Sequence, residues 1–351
     1  MKLLIITQKV DRNDPVLGFF YRWILEFSKR YESMVVICLE RGAGEMPPNV
    51  RVLSLGKEQR SAGAGPGIWR RLGYAARFYR YMVAERKNYD SVFVHMNQEY
   101  VLLGFAFWKM AGKKIMLWRN HPAGSMLTRF AVAVSDLCFC TSRFSYTARF
   151  RKTKIMPVGI DTDFFKADAS VRKKPQSILY LGRIAEIKNV HILLEALHIL
   201  SDRKIPFVCD IVGGSLPKDA AYHRRLRDLV RGCGLEKAVT FREPVSNDRS
   251  VQEYNRHDVV VNLSPDGMFD KTIFEAMACQ SMVLVSNRNL AGEISDMFLF
   301  RYGDAADLAA RLAHLLDMPD PRREAAEREL REYAVSRHSL GRLAEEIKAL
   351  S

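Results

Sequence analysis

Cysteine is scarce in this 351-residue chain, and its spacing is irregular. The six cysteines include no C-x-x-C pair, the spacing that marks many zinc knuckles and redox sites. A chain of this length can bury a large core without the disulfides that stabilise small secreted domains. We therefore expect reduced, buried thiols in a cytoplasmic protein.

Long uninterrupted apolar runs are also missing. The first ten residues, MKLLIITQKV, are too short an apolar run for a signal peptide and predict a strand. The most apolar later segment, residues 100–118, is interrupted by Lys109, Lys113 and Lys114, which argues against a transmembrane helix. We expect a protein that is soluble or at most peripherally attached to a membrane.

Acidic residues are few in the first half of the chain. Residues 1–165 hold 26 Lys and Arg but only 13 Asp and Glu, so they carry +13 of the formal net charge of +14. The second half is nearly neutral. This asymmetry predicts an anionic partner for the first half, which could be a membrane, a phosphorylated substrate or a nucleic acid.

Short apolar, β-branched runs alternate with amphipathic segments along the chain. KLLIIT and MVVICL are typical of strands, and FFYRWILEFSKRY is typical of a helix. Such alternation predicts a parallel sheet covered by helices on both faces. The pattern restarts after residues 157–165, PVGIDTDFF, and therefore predicts two doubly wound, Rossmann-like α/β domains facing a cleft. We place them at 1–165 and 166–335, with a C-terminal helix over 336–351 that either caps the second domain or crosses back to the first.

Two cations follow a predicted strand in residues 180–190, YLGRIAEIKNV. Gly182 permits a tight turn, and Arg183 and Lys188 stand five residues apart before the next helix. A planar guanidinium and a point-charge ammonium together suit a diphosphate. The alternative is a solvated turn with two surface cations.

A second segment, SPDGMFDKTIFEAMA at residues 264–278, has the composition of an anion site. Asp270 is placed to cap a helix that begins at Lys271, and Gly267 lets the backbone approach a ligand closely. Glu275, one turn into this helix, could accept hydrogen bonds from ribose hydroxyls. A capped helix with a surface Glu is the alternative.

Together these two segments resemble glycosyltransferase family 4, whose members are retaining, metal-independent enzymes with the two-domain GT-B fold. The family's G-R-x-x-x-x-K is similar to Gly182, Arg183 and Lys188, and its E-A-M-A to residues 275–278. NLSPDGMF, PVGIDTDFF and FRYGDAADLAARLAHLL resemble further family segments. The first Glu of the family's paired-Glu motif is replaced by Gly267, as in a similar Gly-x-x-Asp-Lys variant.

The resemblance implies a site for a nucleotide sugar, used as a co-substrate without any cofactor. Arg183 and Lys188 would neutralise the leaving diphosphate, the task of the metal ion in other glycosyltransferases. The Asp-x-Asp at 161–163 falls in the interdomain pattern, so no metal site is expected there. The predicted donor-binding residues are Gly18, Gly182, Gly267, Phe269, Asp270, Lys271, Thr272 and Glu275.

The first domain offers one glycine and two histidines. Gly18 is predicted to open the first helix and to bring its N-terminus close to the donor phosphates; a turn without a ligand is the alternative. His95 and His121 both follow predicted strands. Family position favours His121 near the reacting sugar, where it would orient the acceptor or relay a proton.

Residues 68–87 predict an amphipathic helix with an unusual polar face. Its apolar stripe, from Ile68 to Val83, is expected to pack inward. The opposite face interleaves arginine with aromatic residues, which is typical of a helix at a membrane interface; an ordinary basic surface helix is the alternative. The basic residues predicted to contact the membrane or the acceptor are Arg70, Arg77 and Arg80.

These patterns predict a retaining glycosyltransferase that uses a UDP- or GDP-sugar. The acceptor would be lipid-linked or a polysaccharide in cell-surface glycan synthesis, reached from the inner face of an anionic membrane. A Rossmann-type NAD oxidoreductase is one alternative, but neither first turn carries G-x-G-x-x-G with an acidic residue downstream. A basic nucleic-acid-binding protein is another, but no recognition motif accompanies the charge, and we expect no nucleic-acid partner.

Overall fold

The computed structural model describes residues 1–14, 16–59 and 67–351. It divides into two compact units, Met1–Gly159 with Leu340–Ser351, and Ile160–Ser339. The predicted boundaries at 165/166 and 335/336 lie a few residues away from these. The C-terminal segment groups with the first unit, which decides between the two placements that the sequence left open.

Each unit is built on a parallel sheet. The strands of the first sheet are β1 (Lys2–Val10), β2 (Ser33–Arg41), β3 (Val50–Ser54), β4 (Ser91–His95), β5 (Lys114–Trp118), β6 (Leu137–Cys140) and β7 (Thr153–Ile155). The strands of the second are β8 (Lys174–Leu181), β9 (Val208–Val212), β10 (Val239–Arg242), β11 (His257–Asn262) and β12 (Met282–Val285). Their orders are β3-β2-β1-β4-β5-β6-β7 and β10-β9-β8-β11-β12, with every described pairing parallel. The predicted doubly wound fold is thus confirmed in both units.

Helices connect and cover these strands. The helices of the first unit are α1 (Gly18–Ser28), α2 (Ile68–Ala84), α3 (Gln98–Met110), α4 (Met126–Val134) and α11 (Leu340–Leu350). Those of the second unit are α5 (Val190–Asp202), α6 (Ala220–Gly232), α7 (Asn247–Arg256), α8 (Lys271–Ala278), α9 (Ala305–Leu316) and α10 (Asp320–His338). Across the described residues, none of these helices has both the length and the apolar character to cross a membrane.

The C-terminal helix α11 completes the core of the first unit. Its buried residues Leu343 and Ile347 pack in one cluster with Trp23 and Phe27 of α1. The indole Nε1 of Trp23 also donates to the carbonyl of Gly159 at 2.8 Å. Burying each such aliphatic side chain contributes about 1.5–3 kcal/mol, so α11 is an integral part of the unit.

The six cysteines are free thiols. Five of the six are buried, and Cys233 is half-buried. Burial raises the pKa of Cys140 to about 11, so this thiol stays protonated and unreactive at neutral pH.

The orientation of α2 corrects the sequence prediction. The buried residues of this helix are Met82, which belongs to the predicted apolar stripe, and Phe78, which flanks the face predicted to be polar. Ile68 and Leu72, predicted to pack inward, are 69% and 54% exposed. The helix has two partly apolar faces, and the face with the larger aromatic surface was selected for the core because it removes more area from water.

Candidate active site

The strand order of the second unit reverses between β8 and β11, which are adjacent and parallel. In open α/β sheets, ligands bind in the crevice at the carboxyl ends of strands at such a point. Arg183 and Lys188 follow the end of β8, while Ser264 and Asp270 follow the end of β11. The fold therefore brings together the two segments that the sequence singled out, although they lie about 80 residues apart.

Three donors converge on one oxygen of Asp270. Its Oδ2 accepts hydrogen bonds from the Lys188 ammonium at 2.5 Å, the Ser264 hydroxyl at 2.5 Å and the Asn262 amide at 3.1 Å. Burial opposes ionisation of this carboxyl, but the charge of Lys188 and these hydrogen bonds lower its pKa below the usual value. Asp270 is thus held as a carboxylate that fixes the position of Lys188.

The predicted capping role of Asp270 is wrong in its detail. The residue occupies the N-cap position of α8, but its side chain accepts no hydrogen bond from the helix. The carboxylate turns instead toward Lys188, because an ion pair with an ammonium is stronger than a bond to a neutral amide. The N-terminus of α8 consequently has no side-chain cap from this residue.

Arg183 is exposed, and its guanidinium makes no hydrogen bond or ion pair with any residue in the described part of the chain. Its own carbonyl accepts from the hydroxyl of the buried Tyr180 at 2.9 Å, which fixes the backbone of the turn. A cation held at a strand end without a carboxylate partner is suited to an external anion.

The turn at Gly182 depends on a second glycine that the sequence analysis did not identify. A Cβ added at Gly213 would lie 1.8 Å from the carbonyl oxygen of Gly182, so no larger residue fits there without moving the backbone. The amide of Gly182 also donates to the carbonyl of Val212 at 3.0 Å. The signal was present as the glycine that ends the run FVCDIVG, where β9 lies beside β8.

Glu275 is buried, which differs from the alternative of a surface Glu. Its Oε2 accepts from the Tyr254 hydroxyl at 2.8 Å, and its Oε1 from the Asn247 amide at 3.3 Å. Burial, and then the negative charge of Glu275, raise the pKa of Tyr254 well above its usual value, so the phenol stays a donor. Both partners come from α7, and sequence reasoning missed both because no local pattern connects α7 to α8.

The remaining predicted donor residues of this unit lie on or beside α8. Burial lowers the pKa of Lys271 to about 7, although the charge of Glu275 opposes this. The hydroxyl of Thr272 accepts from Asn262 at 3.4 Å, and Phe269 packs edge-on against Phe274 at 4.8 Å. Gly267 is half-buried in the loop that precedes them.

Gly18 is the first residue of α1, as predicted, but its amide is already engaged. It donates to the carbonyl of Asp14 at 3.0 Å, and the Asp14 carboxylate accepts from the amides of Val16 and Leu17. Lys9 in turn pairs with Asp14 at 2.9 Å. The N-terminus of α1 therefore contacts a carboxylate of its own loop.

The two histidines of the first unit differ in environment. His121 follows β5 and is exposed, and its Nδ1 accepts from the amide of Ala123 at 3.0 Å. His95 ends β4, beside β1 where the strand order of this sheet reverses, but it is 2% exposed and stacks on Phe20 at 3.9 Å. Of the two, only His121 presents its ring to solvent.

Among the described residues, Asp210, Glu253 and His257 form a group close enough to hold a metal ion. Arg242, however, donates to both oxygens of the Glu253 carboxylate at 2.6 and 2.9 Å and lies 3.4 Å from Asp210. The guanidinium thus occupies both oxygens of Glu253, so this carboxylate already has a cation as its partner.

The comparisons with known proteins agree with this geometry. Residues 161–333 match the family model described as "Glycosyl transferases group 1". The predicted class of enzyme, a glycosyltransferase, is the class that this family defines.

Curated relatives carry the same class of name. The D-inositol 3-phosphate glycosyltransferase of Mycobacteroides abscessus is 28% identical over 140 residues, which are 38% of this chain and 31% of the relative. The protein of the same name from Paenarthrobacter aurescens is 29% identical over 163 residues, 43% of this chain and 39% of the relative. The matched region therefore spans less than half the length of these relatives.

Solved structures match the whole chain. The crystal structure of Anabaena Alr3699/HepE in complex with UDP has a TM-score of 0.77 at 19% identity and covers 100% of this chain and 99% of that one. Sucrose-phosphate synthase from Thermosynechococcus elongatus has a TM-score of 0.77 at 18% identity and covers 100% and 98%. At these identities the likeness confirms the GT-B fold of two Rossmann-like domains.

Proposed function

We propose that the chain is a retaining glycosyltransferase that transfers a sugar from a nucleotide diphosphate sugar. The observation that carries this proposal is the pair of cations at the strand-order reversal of the second unit. Arg183 has no internal partner among the described residues, and Lys188 is fixed by Asp270 and Ser264. UDP bound to the Anabaena structure supports a uridine donor, and GDP remains the alternative.

The charges at this site suit a leaving diphosphate. The Lys188 ammonium has three N–H donors and directs two of them at Asp270 and Ser264, so one is left for a phosphate oxygen. Arg183, which follows the carboxyl end of the same strand, adds a planar guanidinium fork. As the glycosidic bond breaks, negative charge develops on the diphosphate, and cations fixed in advance stabilise it without reorganisation.

The donor is tested by a panel of nucleotide sugars. We expect release of free UDP or GDP from one of them when the purified protein is given lipid-linked and polysaccharide acceptors. If none of the nucleotide sugars binds to the protein or is turned over, the proposed function is wrong.

Transfer is expected to continue in excess EDTA. The leaving charge is stabilised by Arg183 and Lys188 in this proposal, so no divalent ion is needed at the diphosphate. The measurement is nucleotide release with EDTA and after readdition of Mg²⁺ or Mn²⁺. Loss of activity in EDTA with rescue by either metal would show that the two cations do not suffice.

We place the acceptor at a membrane surface because of the exposed side of α2. We call this side the α2 ridge, consisting of Ile68, Trp69, Leu72, Tyr79 and Val83. Trp69 is 82% exposed, and the exposed Arg70 and Arg80 lie on the same helix. Arg77, predicted to contact the membrane or the acceptor from the opposite face of the helix, is half-buried, and its Nε lies 3.4 Å from the carbonyl of Gly73. Exposed apolar residues flanked by arginines are typical of a helix lying in a lipid interface.

The protein is expected to co-sediment with anionic liposomes and to be released by high salt. Each basic residue near an anionic surface contributes about 1 kcal/mol, and salt screens this attraction over about 8 Å at physiological strength. Changing both Trp69 and Leu72 to Glu should abolish binding, and changing Arg70 and Arg80 to Glu should weaken it. Arg224→Glu, an exposed change on α6, is the matched control. If the wild type ignores anionic liposomes at low salt, the acceptor is soluble and the membrane part of the proposal fails.

A further inference from the structure

A buried ionic cluster ties α7 to the second sheet. Its members, called here the α7 anchor, are Asp210 of β9, Arg242 of β10, Glu253 of α7 and His257 of β11. The side chains of Glu253 and His257 are 5% and 2% exposed. Charged groups are buried this deeply only when each has a partner of opposite charge.

The contacts of His257 define its charge. Its Nδ1 lies 2.7 Å from the carbonyl oxygen of Glu253, and its Nε2 lies 3.1 Å from Oδ2 of Asp210. A carbonyl oxygen and a carboxylate oxygen both accept, so both contacts are hydrogen bonds when each ring nitrogen carries a proton. The hydrogen bond from His257 lowers the pKa of Asp210 against the opposing effect of burial, which keeps that carboxyl ionised.

With His257 as an imidazolium, the cluster is neutral. Arg242 and His257 supply two positive charges, and Asp210 and Glu253 supply two negative ones. Two further charged groups lie nearby. The charge of Lys174 helps to lower the pKa of Asp210. The side chain of Arg256 is 50% exposed, and its Nη1 lies 4.0 Å from Oε1 of Glu253. A neutral His257 would leave two buried carboxylates with one well-placed cation.

Helix α7 connects the α7 anchor with the candidate donor site. Glu253 precedes Tyr254, whose hydroxyl donates to Glu275, and Asn247 at the start of α7 donates to the other oxygen of Glu275. The carboxylate of Glu275 therefore depends on two side chains of α7 for its position. The same helix is held at its far end by His257 and Arg242.

We propose that His257 is a positioning residue for the donor site. Held as an imidazolium, it fixes α7 against β9, and α7 holds Glu275 where the donor binds. This role rests on the proposed function, because it assumes that Glu275 contacts the donor nucleotide.

A series of substitutions at His257 tests the role through nucleotide affinity. His257→Phe keeps the ring volume but loses both N–H groups, so affinity for UDP or GDP should fall about tenfold, the effect of one or two lost hydrogen bonds. His257→Asn keeps a donor near the Nδ1 position and His257→Gln one near the Nε2 position, so each should restore part of the affinity. Isothermal titration with UDP and with GDP gives the values.

The neighbouring Asp258 provides a matched control. It is 1% exposed, and its carboxylate accepts from the amide of Ser177 and from Arg323, both outside α7. Asp258→Asn should lower the melting temperature while nucleotide affinity stays at the wild-type value. If His257→Phe behaves in the same way, His257 supports the fold alone and the proposal is wrong.

Two measurements do not depend on any ligand. ¹⁵N NMR of the imidazole should show both nitrogens of His257 protonated at neutral pH, and a neutral tautomer would overturn the charge assignment. Hydrogen exchange of α8 should accelerate in His257→Phe and not in Asp258→Asn, and equal exchange would overturn the positioning role. Should the wild type bind neither UDP nor GDP, the proposed function fails, while these two results still decide whether His257 is charged and whether it holds α8 through α7.

Discussion

Arg183→Ala is expected to slow sugar transfer by about 100-fold, corresponding to about 3 kcal/mol of transition-state stabilisation. The guanidinium is exposed and has no partner among the described residues, so its removal leaves no group inside the protein unsatisfied. The melting temperature should therefore stay the same while turnover falls. Nucleotide release under saturating donor, together with a thermal melt, separates the two effects.

A matched change on the same unit controls for the loss of positive charge. Arg224 of α6 is also exposed, and Arg224→Ala should leave both turnover and melting unchanged. Lys188→Ala should slow transfer by a similar factor but also lower stability, because the carboxylate of Asp270 loses its cation. Wild-type turnover in Arg183→Ala and Lys188→Ala would remove both residues from the leaving-group site.

Glu275→Ala is expected to lower the free energy of unfolding of the second unit by about 3 kcal/mol. The change leaves the buried hydroxyl of Tyr254 and the half-buried amide of Asn247 without their acceptor, and a buried unsatisfied group costs about 1–3 kcal/mol. For a unit of this size the melting temperature should fall by about 6–12 °C. Nucleotide affinity should fall as well, so the change combines a structural loss with a functional one.

Glu275→Gln separates the two contributions. Its amide oxygen can still accept from Tyr254, so most of the stability should be retained, while the negative charge is lost. Nucleotide affinity below the wild-type value in this well-folded variant is the expected result. Glu195→Ala, at an exposed position of α5, controls for loss of a helical glutamate. If Gln at position 275 restores both stability and affinity, Glu275 acts only as a packing partner of α7.

The sequence by itself determined the class of fold. The apolar runs predicted the long strands of both sheets because buried parallel strands read as continuous β-branched segments. β7 shows no such run, because its three residues, TKI, are too few for a pattern. The residue types of the two cationic and glycine-rich segments made them candidates, the resemblance of both together to one family favoured a ligand site, and the fold brought them to neighbouring strand ends.

The tertiary structure decided what those residues contact. The inward face of α2 depended on which of two partly apolar faces buried more aromatic surface, and its periodicity fitted both. Asp270 was free by sequence to cap α8, but the adjacency of β8 and β11 brought Lys188 to its carboxylate. Strand order also places Gly213 against the turn at Gly182, because β9 lies beside β8. The contacts of α7 with Glu275 likewise join residues that are distant in the sequence. Local sequence patterns predict secondary structure and burial. The contacts between residues that are distant in the chain depend on which strands are neighbours in the sheet.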